Sequence, residues 1–454
     1  MLVVRSHRVV LPEGERAASV HIEDGVVTRI ADYGADAPGG AHVFDFAGMV
    51  VSPGLVDTHV HVNEPGRTEW EGFDTATRAA AAGGVTTIVD MPLNSIPATT
   101  SVAALDAKMQ AARARCHVDV GFWGGVVPGN AGELDGLIDA GVRGFKCFLV
   151  PSGVDEFPAV DEQDLRRVLP ILARRTVPLL VHAEDPTRIS HPAHPTYEAF
   201  LASRPPAAER DAIRLMIRLA AEFHARVHIV HVSSAEGVAA IAAARVDGTP
   251  ITAETCPHYL TFAAGEIPDG ATAFKCAPPI RDAAHRAALW HGLTSGALDL
   301  IATDHSPAPP ALKTPGDFTR AWGGIASLEL SLAATYTSLK SQLSTLSAES
   351  SELRVESSES SLPCLLSGWM SAAPAALAGL GARKGRIAAG CDADLVVWDP
   401  DAGFVVDPAR LQQRHKLTPY AGRCLFGTVL TTFVRGECVW DRNGLARANG
   451  GRLL

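Results

Sequence analysis

The apolar positions of this chain follow one pattern at its two ends and another in its middle. Near the start, Val20-His21-Ile22 and Val26, Val27 and Ile30 flank Glu23-Asp24-Gly25, and an Asp-Gly turn between such runs predicts a hairpin. Near the end, Asp394-Leu395-Val396-Val397-Trp398 and residues 429–436 predict further short strands bounded by Asp, Pro and Gly. The middle repeats a different unit. Residues 84–90, 118–122, 144–149, 178–182, 227–232, 251–254 and 299–304 read as buried strands. Alanine-rich, helix-favouring segments lie between some of them, such as 75–82 and 207–223. Strands alternating with helices predict a parallel sheet, and this many predict an α/β fold of the TIM-like (β/α)8 barrel type. The β-rich ends predict a small β-sandwich domain formed by both termini. The expected division is 1–52 and 384–454 for the small domain and 53–383 for the barrel. Residues 338–361, dense in Ser, Thr, Glu and Leu, break the rhythm and predict a solvent-exposed, partly disordered insertion.

Composition narrows the function classes. The 454 residues exceed one ordinary domain, and 47% hydrophobic with 20% charged residues is ordinary for a folded chain. A formal net charge of -10 argues against nucleic acid or an anionic membrane as partner. No apolar stretch approaches the roughly 18 residues of a membrane span, and the apolar run at the N-terminus is too short for a signal peptide. Eight cysteines without a CxxC pair read as reduced thiols, which points to a cytoplasmic protein.

The chemistry begins at Asp57-Thr58-His59-Val60-His61, on a run that reads as a strand entering a barrel. Period-two alternation puts His59 and His61 on one side, where neutral imidazoles can chelate a metal ion. The pair alone fits two structural histidines equally well. His182 and His231 each close an apolar strand, however, and Asp304 closes another. Ligand-type side chains at four strand ends fit the face where barrel enzymes place their sites, and burying them without a task costs energy.

Lys146 lies among apolar residues in Gly144-Phe145-Lys146-Cys147-Phe148. A buried lysine tends to lose its charge. Either it pairs with a neighbouring acid, or its neutral amine is modified by carbon dioxide to a carbamate, an anionic two-oxygen ligand able to bridge two metal ions. With that bridge, four imidazoles and one aspartate supply enough donors for two divalent ions. Zinc is expected first, and the N/O set also admits cobalt, manganese or iron.

The residues 61–73 (HVNEPGRTEWEGF), 91–95 (MPLNS), 144–153 (GFKCFLVPSG), 256–259 (CPHY), 276–282, 303–307 (TDHSP), 321–325 (AWGGI) and 414–423 (RHKLTPYAGR) carry a resemblance over nearly the whole chain. The pattern is similar to the binuclear amidohydrolase superfamily, in its cyclic-amidase branch of dihydroorotases, hydantoinases and allantoinases, and is most similar to the allantoinases. That resemblance implies His59, His61 and Asp304 on one ion, His182 and His231 on the other, and Lys146 bridging as N6-carboxylysine. It implies Asp304 as proton shuttle, allantoin as small-molecule substrate opened to allantoate, and a homotetramer.

Dihydroorotases carry an arginine for the substrate carboxylate two residues after the second motif histidine. Asn63 stands there in this chain, and allantoin has no carboxylate. Asn94 and Ser306 are further candidates for substrate contacts, and the loop carrying Ser152 is expected over the pocket. Each reads equally well as a loop-capping residue. Ala277 replaces the family's usual serine before Pro278, and Ala372-Ala373-Pro374 stands where a late helix usually begins on Asn, with the expected loss of a cap worth about 1 kcal/mol. Strand parity turns His228 away from His231, and His305 is expected to orient a neighbour. Two other readings compete: a hydantoinase or dihydropyrimidinase with a different pocket, and a non-catalytic hydantoinase-like scaffold.

Overall fold

The computed structural model describes residues 1–349 and 361–454. Eight parallel strands form the barrel in chain order. They are Leu55–Val60, Val85–Asp90, Asp119–Phe122 (continued by Gly124–Gly125), Phe145–Phe148, Leu179–His182, Val227–Ile229, Ile251–Thr255 and Leu300–Ile301. Their residues are nearly all buried, because a barrel strand is covered by side-chain layers inside and helices outside. The cylinder closes between its last and first strands. The His61 N–H donates to the His305 carbonyl (2.8 Å) and the His305 N–H to the His59 carbonyl (3.2 Å).

The connecting helices start where short polar side chains take up free N–H groups. Ser101 accepts from the Ala104 N–H, Ser234 from the Gly237 N–H, and Asp161 and Asp164 form a reciprocal capping box at Glu162–Arg175. The expected helices are present as Phe73–Ala82 and Pro206–Phe223.

Both ends of the chain build one sheet of nine strands. Its order runs Gly444–Leu445, Glu437–Asp441, Cys424–Val434, Leu395–Val405, Val50–Pro53, Leu2–Leu11, Gly14–Glu23, Val26–Ala31, with His42–Asp45 also paired to Leu2–Leu11. The hairpin turns at Asp24-Gly25, both in the left-handed region. Apolar faces from the two ends share one cluster, including Val4, Val20, Ile22, Val51, Leu395, Val397 and Phe433. At the junction with the barrel, buried Lys384 Nζ reaches Asp119 (2.8 Å), Asp392 (3.1 Å) and Asp394 (2.6 Å), and Arg435 also pairs with Asp119.

Two local expectations are corrected. Residues 338–349 belong to the helix Ser331–Glu349, whose Leu332, Tyr336 and Leu339 are buried. Helix therefore extends into the Ser-rich stretch, and residues 350–360 of the expected insertion lie outside the described residues. Ala372-Ala373-Pro374 does not open a helix: helical structure begins at Leu362 after Ser361 and passes through a π-turn at Gly368–Ala372 into Ala373–Leu377, so no cap is lost at Ala372.

Candidate metal centre

Six side chains expected from the sequence meet at the C-terminal mouth of the barrel. His59 and His61, on one side of the first strand and just beyond it, both point Nε2 at Asp304 Oδ1, each at 3.2 Å. The His231 ring lies 5.5 Å from that of His59 and 4.6 Å from that of His182. His182 stacks on Phe148 at 4.7 Å, and Lys146 Nζ stands 4.8 Å from the centre of the same Phe148 ring. His231 and Asp304 have left-handed backbones (φ 43° and 46°) just past their strands, which turns their side chains out of the pleat into the common centre.

Burial and charge set the electrostatics. Burial pushes the Asp304 carboxyl up, but His59 and His61 outweigh it and hold it well below the usual carboxylate range. Burial lowers His59, yet Asp304 and Glu254 on its two sides raise it to about 9. Glu254 is itself held down at about 2, as His59 and His228 overcome its burial. Burial lowers Lys146 to about 8.

The donor set fits a cation. His59, His231 and Asp304 bring ligand atoms within 4.8 Å of one another. Lys146 Nζ and His231 Nδ1 are buried with no hydrogen-bond partner, an expense that ligation would remove. The other acidic group of that kind among the described residues, Asp119, Asp392 and Asp394, already surrounds the Lys384 ammonium.

A cavity of about 510 Å³ opens above the centre, lined by His59, His61, His182, His231 and Asp304 at its floor. Of the expected substrate contacts, Asn94, Ser152 and Ser306 line it and Asn63 does not. Asn63 is buried with its amide toward the Pro307 carbonyl at 3.4 Å, and the Ser152 hydroxyl is engaged by the Phe157 carbonyl at 2.6 Å, a loop cap. The Asn94 Oδ1 is buried and unpartnered.

Sequence reasoning missed several supports. Glu254 contacts His59 Nδ1 at 2.5 Å, and Glu184 contacts His182 Nε2 at 2.8 Å while paired with Arg204. His-Ala-Glu around His182 was the one legible signal. Trp322, Arg320 and Lys275 also line the cavity. Strand parity set His228 opposite His231, and this is corrected: the register puts His228 on the same inner face as Lys146 and His182, where it binds Glu254, because His231 leaves the pleat at φ 43°. His305 Nδ1 accepts the Ser327 N–H at 3.2 Å.

Comparison with known proteins now adds the family. The profile of the Amidohydrolase family matches residues 50–439, and the chain belongs to that family. Within it, an allantoinase of Streptomyces avermitilis is 49% identical, spanning 100% of this chain and 98% of that protein. An allantoinase of Arabidopsis thaliana is 42% identical over 96% of this chain and 87% of that protein. Among solved structures, the L-hydantoinase (dihydropyrimidinase) of Arthrobacter aurescens superposes with a TM-score of 0.90 at 31% identity, covering 100% of this chain and 99% of the other.

Proposed function

We propose that this chain is an allantoinase: it adds water across the ring amide of allantoin and releases the open acid allantoate. The observation that carries the reading is the meeting of His59, His61, His182, His231 and Asp304, with the unpartnered Lys146 amine beside them, at the floor of a cavity large enough for a five-membered ring. Full-length relatives named allantoinase, at 40–49% identity, support the substrate.

His59, His61 and Asp304 would hold one divalent ion and His182 and His231 a second, with Lys146 as a carbamate between them; zinc suits the donors first, then cobalt, manganese or iron. Such ions supply Lewis acidity toward the amide carbonyl and ease the ionisation of water. The Asp304 carboxylate, anionic at any working pH, accepts the proton of the attacking water and returns it to the ring nitrogen as the C–N bond breaks. Asn94 and Ser306 offer polar groups to the ring and ureido amides, and the loop at Ser152 covers them; Asn63 contributes by holding the Pro307 carbonyl.

The likeness to a hydantoinase structure favours one second reading, hydrolysis of hydantoins or dihydropyrimidines. Turnover of allantoin, hydantoin, dihydrouracil and dihydroorotate by the same preparation decides between them. Allantoin is expected to give the highest kcat/KM, and dihydrouracil as best substrate would overturn the assignment. A non-catalytic scaffold is tested by metal analysis of protein prepared without chelator, which should find bound metal.

The division at residues 1–52, 53–383 and 384–454 remains our proposal for the domain limits, and a homotetramer in the cytosol our proposal for the assembly. The free cysteines favour a reducing compartment. No helix among the described residues is long and apolar enough to cross a membrane.

A further inference from the structure

Behind the donor set runs a line of polar groups closed off from solvent. His59 offers Nε2 to Asp304 and turns Nδ1 onto Glu254 Oε1 at 2.5 Å. The second oxygen, Glu254 Oε2, lies 3.0 Å from His228 Nε2, and His228 Nδ1 lies 2.8 Å from Thr252 Oγ1. Glu254 and His228 are fully buried and His59 nearly so. Strand register explains the alignment: His228 pairs with Thr252 on adjacent strands, and Glu254 is two residues further along the same face as Thr252.

One carboxylate fixes every proton in this line. An ionised carboxylate only accepts, so both rings facing Glu254 must donate. With a cation in place of the proton between Nε2 and Asp304, His59 would keep its one proton on Nδ1 and present the Nε2 lone pair to the centre. His228 carries its proton on Nε2, which leaves Nδ1 to accept from the Thr252 hydroxyl. The other three histidines are held differently. His182 shares Glu184 with Arg204, His61 Nδ1 meets only the Asn94 amide at 3.5 Å, and His231 Nδ1 has no partner.

We propose that Glu254 is a positioning residue of the metal centre, which sets the tautomer and ring plane of His59 so that Nε2 is presented as a lone-pair donor, with His228 keeping the carboxylate in place. The proposal rests on the metal-centre reading above. It assigns to Glu254 no contact with substrate. A carboxylate behind a ligating imidazole raises its basicity and fixes its orientation, and loss of such a partner typically weakens metal binding about 10–100-fold.

The test measures zinc binding without turnover. Wild type and Glu254→Gln are stripped, reloaded in bicarbonate and titrated against a chelator of known zinc affinity, with thermal unfolding of each apo-protein recorded alongside. Glu254→Gln is expected to hold one zinc about 10–100-fold more weakly, with part of that loss recovered in Glu254→Asp, which keeps the charge. Equal zinc affinity in Glu254→Gln and wild type would overturn the proposal. Should the variants fail to fold, the ring nitrogens of zinc-loaded, 15N-histidine-labelled wild type give the same answer: His59 protonated at Nδ1 supports it, and His59 protonated at Nε2 overturns it. Wild type that binds no zinc at all would overturn the metal-centre reading itself, and this proposal with it.

Discussion

Lys146 is fully buried, has no hydrogen-bond partner, and is lowered by desolvation to about 8. Below that pH the amine is an ammonium without a lone pair; above it the neutral amine can attack carbon dioxide. Carbamate formation in the metal-free chain should therefore rise with pH through about 8, as read by the carbonyl signal after addition of 13C-bicarbonate. Lys146→Ala should lose binuclear metal binding and at least about 100-fold in kcat/KM, and bicarbonate with a short carboxylic acid should not restore the native rate; near-native activity in that variant would contradict a carbamate bridge. His59 titrates in the opposite sense to the one a ligand needs. Its flanking carboxylates raise it to about 9, so a proton competes with the cation below that pH. Apparent zinc affinity should fall about tenfold for each pH unit below 9 through this one proton, measured by chelator competition across pH.

At the scale of elements, the rim loop 321–325 shows how a short sequence is held in an unusual shape. Lys275 Nζ donates to the Ala321 carbonyl at 2.6 Å, and buried Lys313 donates to the carbonyls of Trp322 (3.1 Å) and Gly324. Gly324 has φ 141°, and a Cβ there would lie 2.3 Å from the Ser306 carbonyl oxygen. Gly324→Ala should cost about 1–3 kcal/mol by chemical unfolding and raise KM more than it lowers kcat, since it displaces the cavity wall rather than the donors. A second element-level effect is at Glu329, which burial raises to about 7 while its Oε2 accepts the Gln412 N–H. The folded chain keeps this proton up to about pH 7, whereas the unfolded chain releases it near 4.5, so folding stability declines as pH rises across that interval. Glu329→Gln should remove the decline, seen as a higher melting temperature than wild type above pH 7. His182, His231 and Asp304 were legible because each closes an apolar run, whereas strand period misjudged His228 against His231, whose left-handed backbone no periodicity marks. The rim loop, Glu254 and Glu329 were not legible, because their partners are 9 to 195 residues away and no local periodicity marks such pairs.

At the scale of the molecule, alternation of buried strands and helices revealed the barrel, and the β-rich ends revealed that N- and C-terminal segments combine. The joint between those parts was hidden: it is Lys384, buried among Asp119 from the barrel and Asp392 and Asp394 from the end sheet. Replacing it by methionine leaves three buried carboxylates facing one another, and Lys384→Met should cost about 3–5 kcal/mol in thermal unfolding while leaving metal stoichiometry intact in the folded fraction. The closing hydrogen bonds of the barrel have a wider consequence. They run between the backbones of His59 and His61 and of His305, so the stitches that make the cylinder a ring alternate with the donors themselves. Any breathing motion that unzips the ring at this place parts the histidine pair from Asp304 at the same moment. Escape of the ions on warming should then keep pace with amide exchange at His61 and His305, and added zinc should slow both together.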